Sequence, residues 1–442
     1  MHSTTRRSFA AGLASALSAS RVAGANDRVG IGYIGVGNRG DQVHDAFLEY
    51  ADNQTVALCD LRDDYMDHAA RKSRGAPARY RDYRRLLDDK NVDAVVISTP
   101  DHWHAIQTID ACRAGKDVYV EKPLSLTVVE GRRMVAVARE TNRVTQVGIH
   151  RRSAPFLREA AEFVRSGGIG HVTVAKGYNI RNEWPRGIGK PASGSPPNEE
   201  EWDRWLGPAP LVPYTPNRTY YDFRWFWHYS GGQVTNFGVH YMDMLRWSIG
   251  AESPTAVMAM GGHYAVEDNR EVPDTAEVVW EFPGGTLMTF SQYNANGAPG
   301  NVQGAEMEIR GTKGTLYIHG NRWEVVPERV ADRELFARTP VDRAGDRLWQ
   351  ASRREVIEAK AVQGSQSTTF HARNFLDCVR SRQTCHCDIE TGHLSTAATL
   401  IANVALRTRR FLEWDGKAER FTNHDEANRH LHYQYRAPYT LG

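Results

Sequence analysis

What the chain has little of narrows its class first. Among 442 residues there are only five cysteines, an odd number spread widely, so a disulfide framework is not what holds the fold together. Neither charge sign dominates: 55 Lys and Arg against 53 Asp and Glu leave a formal net charge of +2, which gives no case for nucleic acid or a membrane surface as partner. No repeat or low-complexity block is present. The apolar run near the N-terminus stops short of the roughly 20 residues a bilayer-spanning helix requires, so no membrane anchor is expected. What remains is the composition of a soluble globular protein, long enough for two domains and a large buried core.

That short run follows Thr5-Arg6-Arg7-Ser8-Phe9, is rich in alanine to about Ala19, and ends in Val22-Ala23-Gly24-Ala25. Paired arginines, a weakly apolar stretch and a small-residue cleavage pattern resemble a twin-arginine export signal over residues 1–25, with a mature start near Asn26 and a periplasmic or other extracytoplasmic location. The alternative is an Ala-rich, unstructured N-terminus on a cytoplasmic protein.

The organising stretch is residues 29–40, an apolar strand pattern leading into Gly35-x-Gly37-x-x-Gly40 and then a helical pattern. In a dinucleotide-binding crossover the first glycine turns the chain off the strand, the second removes a side chain from the path of a pyrophosphate, and the third lets the helix pack close. Asn38 and Arg39 stand inside this turn, at a helix N-terminus whose free N–H groups suit phosphate. A second strand pattern ends in Asp60, twenty positions after Gly40, where a carboxylate can accept hydrogen bonds from a ribose diol. Read in isolation, Asp60 would simply cap the next helix. Arg62 could pair with a 2′-phosphate and admit NADP, yet NAD is the expected cofactor.

Residues 92–100 read as a buried strand ending at Thr99 and Pro100, and a helix begins at Asp101-His102-Trp103-His104. Residues 118–123 form the next strand pattern, and ligands sit at the carboxyl ends of such strands, which places Glu121 and Lys122 beside the cofactor. Residues 145–149 close a first domain over 26–150. Beyond it the pattern changes: strand-like pieces at 171–176, 276–282, 286–292, 305–310 and 314–319 follow one another through short Gly-rich turns, as in an open antiparallel sheet. Residues 156–165, 370–380 and 394–407 are helical patterns, and 411–415 is a short extended return.

Four motifs, Gly35-x-Gly37-x-x-Gly40, Thr99-Pro100-Asp101-His102, Glu121-Lys122-Pro123 and Gly231-Gly232 through His240-x-x-Asp243, together resemble the Gfo/Idh/MocA family of glucose-fructose oxidoreductase and inositol dehydrogenase. The resemblance implies an α/β chain. Its first domain would be a Rossmann dinucleotide-binding domain. Its second, over 151–412, would be α+β with an open, mainly antiparallel sheet used for substrate contact and for pairing of subunits into a homo-oligomer; residues 413–442 remain as a tail. It also implies a cis peptide at the Glu-Lys-Pro triplet. His102 would contact cofactor or cap its helix.

Lys122 is the first candidate for catalysis, because an ammonium near the nicotinamide can hold a substrate hydroxyl and stabilise charge developing on its oxygen. His240 is suited to accept the hydroxyl proton. The commoner family form carries aspartate where this chain has Asn236, so Asn236 can orient a hydroxyl but cannot take a proton. Asp243, one turn past His240, is the candidate substitute, or else a helix-surface residue. In the Pro-, Gly- and Trp-rich stretch 180–222 and just beyond, Trp184, Trp202, Trp205, Tyr220, Tyr221, Trp225 and Trp227 suggest an ordered lid on the substrate side, with one or two of the seven touching a sugar. No metal is expected: His102, His104, His150 and His240 lack a ligand spacing within one element, and Cys385-x-Cys387 has no second pair.

Three functions fit these residues. One is an NAD(P)-dependent dehydrogenase acting on a secondary hydroxyl of a sugar, cyclitol or glycoside with tightly held cofactor. Another is a redox-neutral glycoside-cleaving enzyme that oxidises, eliminates and re-reduces. The last is a catalytically silent sugar binder. Export of a folded protein with its cofactor aboard favours the first two. Replacing Arg6 and Arg7 together by lysine should hold the precursor in the cytoplasm, because the pair is read by a receptor; cell fractionation checks this, and unchanged export would remove the signal assignment.

Overall fold

A computed structural model describes residues 28–331 and 352–442; the proposed signal at residues 1–25 lies outside the described residues. Strands β1 (Val29–Ile34), β2 (Asn53–Cys59), β3 (Ala78–Tyr80), β4 (Ala94–Ile97), β5 (Asp117–Val120) and β6 (Thr145–Val147) form one sheet in the order β3-β2-β1-β4-β5-β6. Every pair in it is parallel. Apolar strands buried on both faces, as β1, β4 and β5 are, require helices above and below. Those helices are α1 (Asn38–Leu48), α2 (Asp63–Lys72), α3 (Tyr83–Leu87), α4 (Asp101–Arg113) and α5 (Val128–Glu140). The strand order reverses between β1 and β4, which opens a crevice at their carboxyl ends.

After α6 (Pro155–Arg165) the chain builds a ten-stranded sheet from β7 (Val172–Ile180), β8 (Ala256–Gly262), β9 (Thr275–Phe282), β10 (Thr286–Tyr293), β11 (Met307–Gly311), β12 (Gly314–Ile318) and β13 (Arg322–Pro327). β14 (Arg329–Ala331) and β15 (Arg353–Glu355) form a separate ribbon, while β16 (Lys360–Gln363) joins one edge of the large sheet. β17 (Leu412–Asp415) and β18 (Arg420–Phe421) complete the other edge. The pairings are antiparallel except that of β7 with β10, which are parallel. This sheet is one-sided: β9 alternates buried and open positions, and its inward residues Val278, Trp280 and Phe282 join a core shared with helices α6, α9 (Gly238–Ile249) and α11 (Ile389–Thr408). The short α7 (Glu199–Leu206) and α8 (Gly232–Asn236) lie between β7 and α9 and carry the aromatic loop.

The division at residue 150 is not clean in space. Helix α10 (Thr368–Ser381) returns to the first domain, where the buried Phe375 ring meets Phe47 at 6.1 Å and Tyr119 at 5.9 Å, both edge-on. Arg373 bonds the carboxylate of Asp52 at 2.9 Å beside it. Residues 413–442, expected as a separate tail, are built into the fold: Trp414 and Phe421 are core residues, the Tyr435 hydroxyl donates to Glu130 at 2.5 Å, and Tyr439 stands edge-on to Trp103 at 5.4 Å. Their polar composition conceals this, because a few buried rings suffice to hold such a segment. Phe375→Ala should cost about 3–5 kcal/mol, the range for deleting a buried phenylalanine. Denaturant unfolding measures it, and a loss below about 1 kcal/mol would mean that α10 is not anchored through this ring.

Candidate functional site

The crevice between the two sheets is a cavity of about 670 Å³. One end is the β1–α1 turn. Gly35 has φ +83°, and a side chain at Gly40 would come within 2.1 Å of the Gly35 carbonyl, so this turn admits only glycine at both points. No side chain caps α1, whose N-terminal N–H groups open toward the cavity wall formed by Gly35, Gly37, Asn38 and Arg39. An uncapped helix start of eleven residues behind a tight glycine turn fits a pyrophosphate. A Cβ at Gly37 would also press on the Tyr65 ring at 3.0 Å, a second reason for glycine there.

Asp60 follows β2 and lines the cavity; its carboxylate accepts from the N–H of Val36 at 2.9 Å and of Arg62 at 3.0 Å, which fixes it beside the turn. Burial raises its pKa, the main influence on it. Arg62 does not line the cavity. Its guanidinium is held by Asp64 at 2.6 Å and packs over Tyr65 and Tyr220, so the 2′-phosphate contact suggested for it finds its charge already paired. This arrangement suits NAD.

Thr99 and Pro100 at the end of β4 line the floor, with Glu121 and Lys122 at the end of β5. The Arg39 guanidinium donates to Glu121 at 3.0 Å and the Tyr119 hydroxyl donates to the same oxygen at 3.3 Å, so Glu121 ties the glycine turn to β5. The Lys122–Pro123 peptide is cis. His102 departs from the expectation: it is wholly buried away from the cavity, 3.0 Å from the Trp205 carbonyl, and burial pushes its imidazole down to about 3. On a helix that starts in the crevice, the neighbouring turn positions face it instead, and Asp101, Trp103 and His104 line the cavity. The His104 ring lies 2.8 Å from the carbonyls of both Pro123 and Thr99, bridging the two strand ends.

Across the crevice, Lys122 Nζ donates to Asn236 Oδ1 at 2.7 Å and to the Asn236 carbonyl at 3.0 Å. Burial, opposed by Glu121 and reinforced by Arg224 and Arg39, pushes the ammonium down to about 8. His240 lies behind this pair: it is 5 % exposed, does not line the cavity directly, and stands edge-on to His150 at 5.3 Å. Burial first, and then the charges of Arg151 and Lys122, hold its pKa well below the usual value, and its Nδ1 has no partner. Asp243 is not its partner. It turns to the other side of α9, accepting from Arg152 at 2.8 Å and from Ser395 at 2.7 Å, because Arg152 is itself nearly buried and requires a carboxylate.

Of the seven loop aromatics, Trp205, Tyr220 and Tyr221 line the cavity, Trp202 and Trp225 fill a small core with Phe226 and Tyr229, Trp184 is exposed, and Trp227 lies on a different groove. Several cavity residues were not singled out from the sequence, Arg224 and Tyr439 among them. A lone cation within the ring-rich run 220–227 was the available signal for the first; nothing in the polar end of the chain marks the second. Among the described residues no group of three or more His, Cys, Asp or Glu is placed to hold a metal ion.

Comparison with known proteins covers both domains. The model of the oxidoreductase family with an NAD-binding Rossmann fold matches residues 29–149, and that of the family's C-terminal alpha/beta domain matches residues 162–297 and 347–441. The chain is 26 % identical over 242 residues to a scyllo-inositol 2-dehydrogenase (NAD(+)) of Bacillus subtilis, a match covering 53 % of this chain and 57 % of that one. It is 37 % identical over 123 residues to a glycosyl hydrolase family 109 protein of Shewanella sp. strain ANA-3, covering 26 % and 27 %. The matches thus span about half and about a quarter of these curated relatives. A scyllo-inositol dehydrogenase from Lactobacillus casei, solved with NAD(H) and scyllo-inositol bound, shares the fold at a TM-score of 0.60 and 22 % identity, over 87 % of this chain and 99 % of that one. With both domains matched in order, over most of its length, the chain belongs to the Gfo/Idh/MocA oxidoreductase family, and its cofactor is NAD.

Proposed function

We propose that the protein transfers hydride between NAD and the carbon of a secondary hydroxyl on a sugar or cyclitol. The observation that carries this reading is the Lys122–Asn236 pair in the cavity wall. An ammonium has three N–H donors, and Asn236 takes two of them, so the third is left for a substrate oxygen. Asn236 thereby sets the direction of that donor. As the carbon–hydrogen bond breaks, the oxygen must lose its proton and passes through a more negative state, which the fixed ammonium favours. His240, kept neutral by its surroundings, lies outside the cavity wall, so it would take that proton only by relay through Lys122. Bound NAD supplies the hydride acceptor.

The match to a glycosyl hydrolase family 109 protein favours a second reading, transient oxidation followed by elimination of a glycosidic substituent. That match spans about a quarter of the chain. Release of an aryl aglycone without net NADH would distinguish it from dehydrogenation. We also infer export through the paired arginines, and pairing of subunits through the open face of the large sheet, where Met258, Met260 and Leu287 stand exposed.

Lys122→Ala should lower turnover by about a hundredfold or more while NAD affinity changes little, since the lost contact strengthens in the transition state. The free-enzyme pH profile should fall on its alkaline side near pH 8, because the useful cation is lost as pH rises through the lowered pKa of Lys122. Asn236→Asp puts a carboxylate beside Nζ and should move that limb to higher pH. Stopped-flow absorbance of the reduced nicotinamide across a sugar panel measures all three, and wild-type turnover in Lys122→Ala would defeat the mechanism.

A further inference from the structure

We propose that the substrate carries a carboxylate, as a hexuronic acid does, and that Arg224 receives it; this rests on the reading of the crevice as a site of sugar oxidation. Arg224 belongs to a short 3-10 turn, Asp222–Trp225, in the aromatic loop, and it lines the cavity together with Lys122, Asp101 and Tyr221. Its guanidinium carbon stands over the Tyr221 ring at 4.1 Å and over Phe223 at 5.1 Å, and the guanidinium donates to the Tyr221 carbonyl. These contacts hold the fork against the loop's own rings. Among the described residues, four of its five N–H groups have no hydrogen-bond partner.

Several other arginines of this region are matched to acids; Arg181, over the Phe237 ring at 5.2 Å, is an exception. Arg39 bonds Glu121 at 3.0 Å, Arg151 bonds Glu306 at 2.6 Å, and Arg152 bonds Asp243 at 2.8 Å. On the loop itself Arg218 bonds Glu271 at 2.9 Å, and between β8 and β9 Arg270 bonds Asp268 at 2.7 Å. Arg224 has no carboxylate within ion-pair distance among the described residues; Asp101 and Asp222 act on it only from farther away. Burial lowers its pKa, as expected of a cation short of compensation.

The charges around it do not cancel. Lys122 faces a neutral amide, Asn236, and the Glu121 carboxylate is already engaged by Arg39. Asp101 is buried against the Ser230 hydroxyl, which donates to it at 2.5 Å, and burial raises its pKa toward the neutral form. Two cations, Lys122 and Arg224, therefore line one cavity and act on each other, with no acid within ion-pair distance of either among the described residues. A planar carboxylate matches the free edge of a guanidinium in a way that a hydroxyl does not. With Lys122 on the reacting hydroxyl, Arg224 would select the acid group elsewhere on the same ring. It is a specificity residue in this proposal and takes no part in proton or hydride transfer.

The test is equilibrium binding to the full-length, NAD-loaded protein by calorimetry. The probes are glucuronate, galacturonate and mannuronate, each set against its methyl ester and its neutral hexose. At least one acid should bind ten times or more tighter than both of its uncharged counterparts. Arg224→Gln should abolish that preference without changing NAD affinity, and Arg224→Lys should keep part of it. If no acid is preferred tenfold, or if Arg224→Gln retains the preference, the proposal is overturned. Reduction of NAD is recorded separately on the same probes. Acid preference without any NAD reduction would sink the hydride-transfer reading and leave the carboxylate site standing; NAD reduction by neutral sugars without acid preference would do the reverse.

Discussion

The site depends on a contact between two segments that are 114 residues apart: the Lys122 ammonium on the strand end of the first domain and Asn236 at the end of α8 in the second. Neither domain alone presents the arrangement. A single hydrogen bond to a charged group contributes roughly 1.5–3 kcal/mol, too little to hold two domains in register. The register comes from elsewhere. Helix α10 packs its Phe375 ring into the first domain, Arg132 of α5 bonds Glu419 at 2.8 Å, and Arg382 bonds the nearly buried Asp117 at the start of β5. These returning segments fix the crevice, and the Lys122–Asn236 contact then forms at little cost in chain entropy.

How much of this was legible in the sequence follows from the range of the forces involved. The first sheet was readable because parallel strands buried on both faces leave continuous apolar runs, and because the glycine turn needs particular residues at particular positions. The alternation in the second sheet was readable for the same local reason, β9 being the clearest case. Lys122, Asn236 and the Gly35–Gly40 turn were found at the cavity because motif and strand end coincide there. His102 and Asp243 were misplaced because their surroundings are set by distant partners: the Trp205 carbonyl lies 103 positions from His102, and Arg152 lies 91 positions from Asp243. Spacing along a helix says which residues share a face. It does not say what that face meets.

The same limit explains the C-terminal residues. A polar run with histidine, asparagine and tyrosine offers no periodicity, yet Tyr435, Arg436 and Tyr439 place it against Glu130, Asp203 and Trp103. The Arg436 guanidinium also donates to the Gly207 carbonyl at 3.0 Å, just after α7. The end of the chain thus braces the aromatic loop from outside while Tyr439 contributes to the cavity wall within.

Bracing matters because of what the loop carries. Arg224 sits on a short turn that makes few regular backbone hydrogen bonds of its own, and its position is inherited from Trp225, Phe226 and Tyr229, which pack with Trp202, Trp205 and Leu206 of the α7 region. The stacked pair Trp202 and Trp205, with ring centroids 5.3 Å apart, joins this cluster to His102 at the base of α4. His102 therefore has a structural task in place of a cofactor contact: its ring and the indole N–H of Trp103 both reach the Trp205 carbonyl, at 3.0 and 2.9 Å. Through that carbonyl the helix that begins in the crevice holds the loop that lines the cavity opposite it. The two walls of the cavity are thus parts of one packed unit, in which the position of Arg224 depends on the ring cluster of the α7 region as well as on Tyr221.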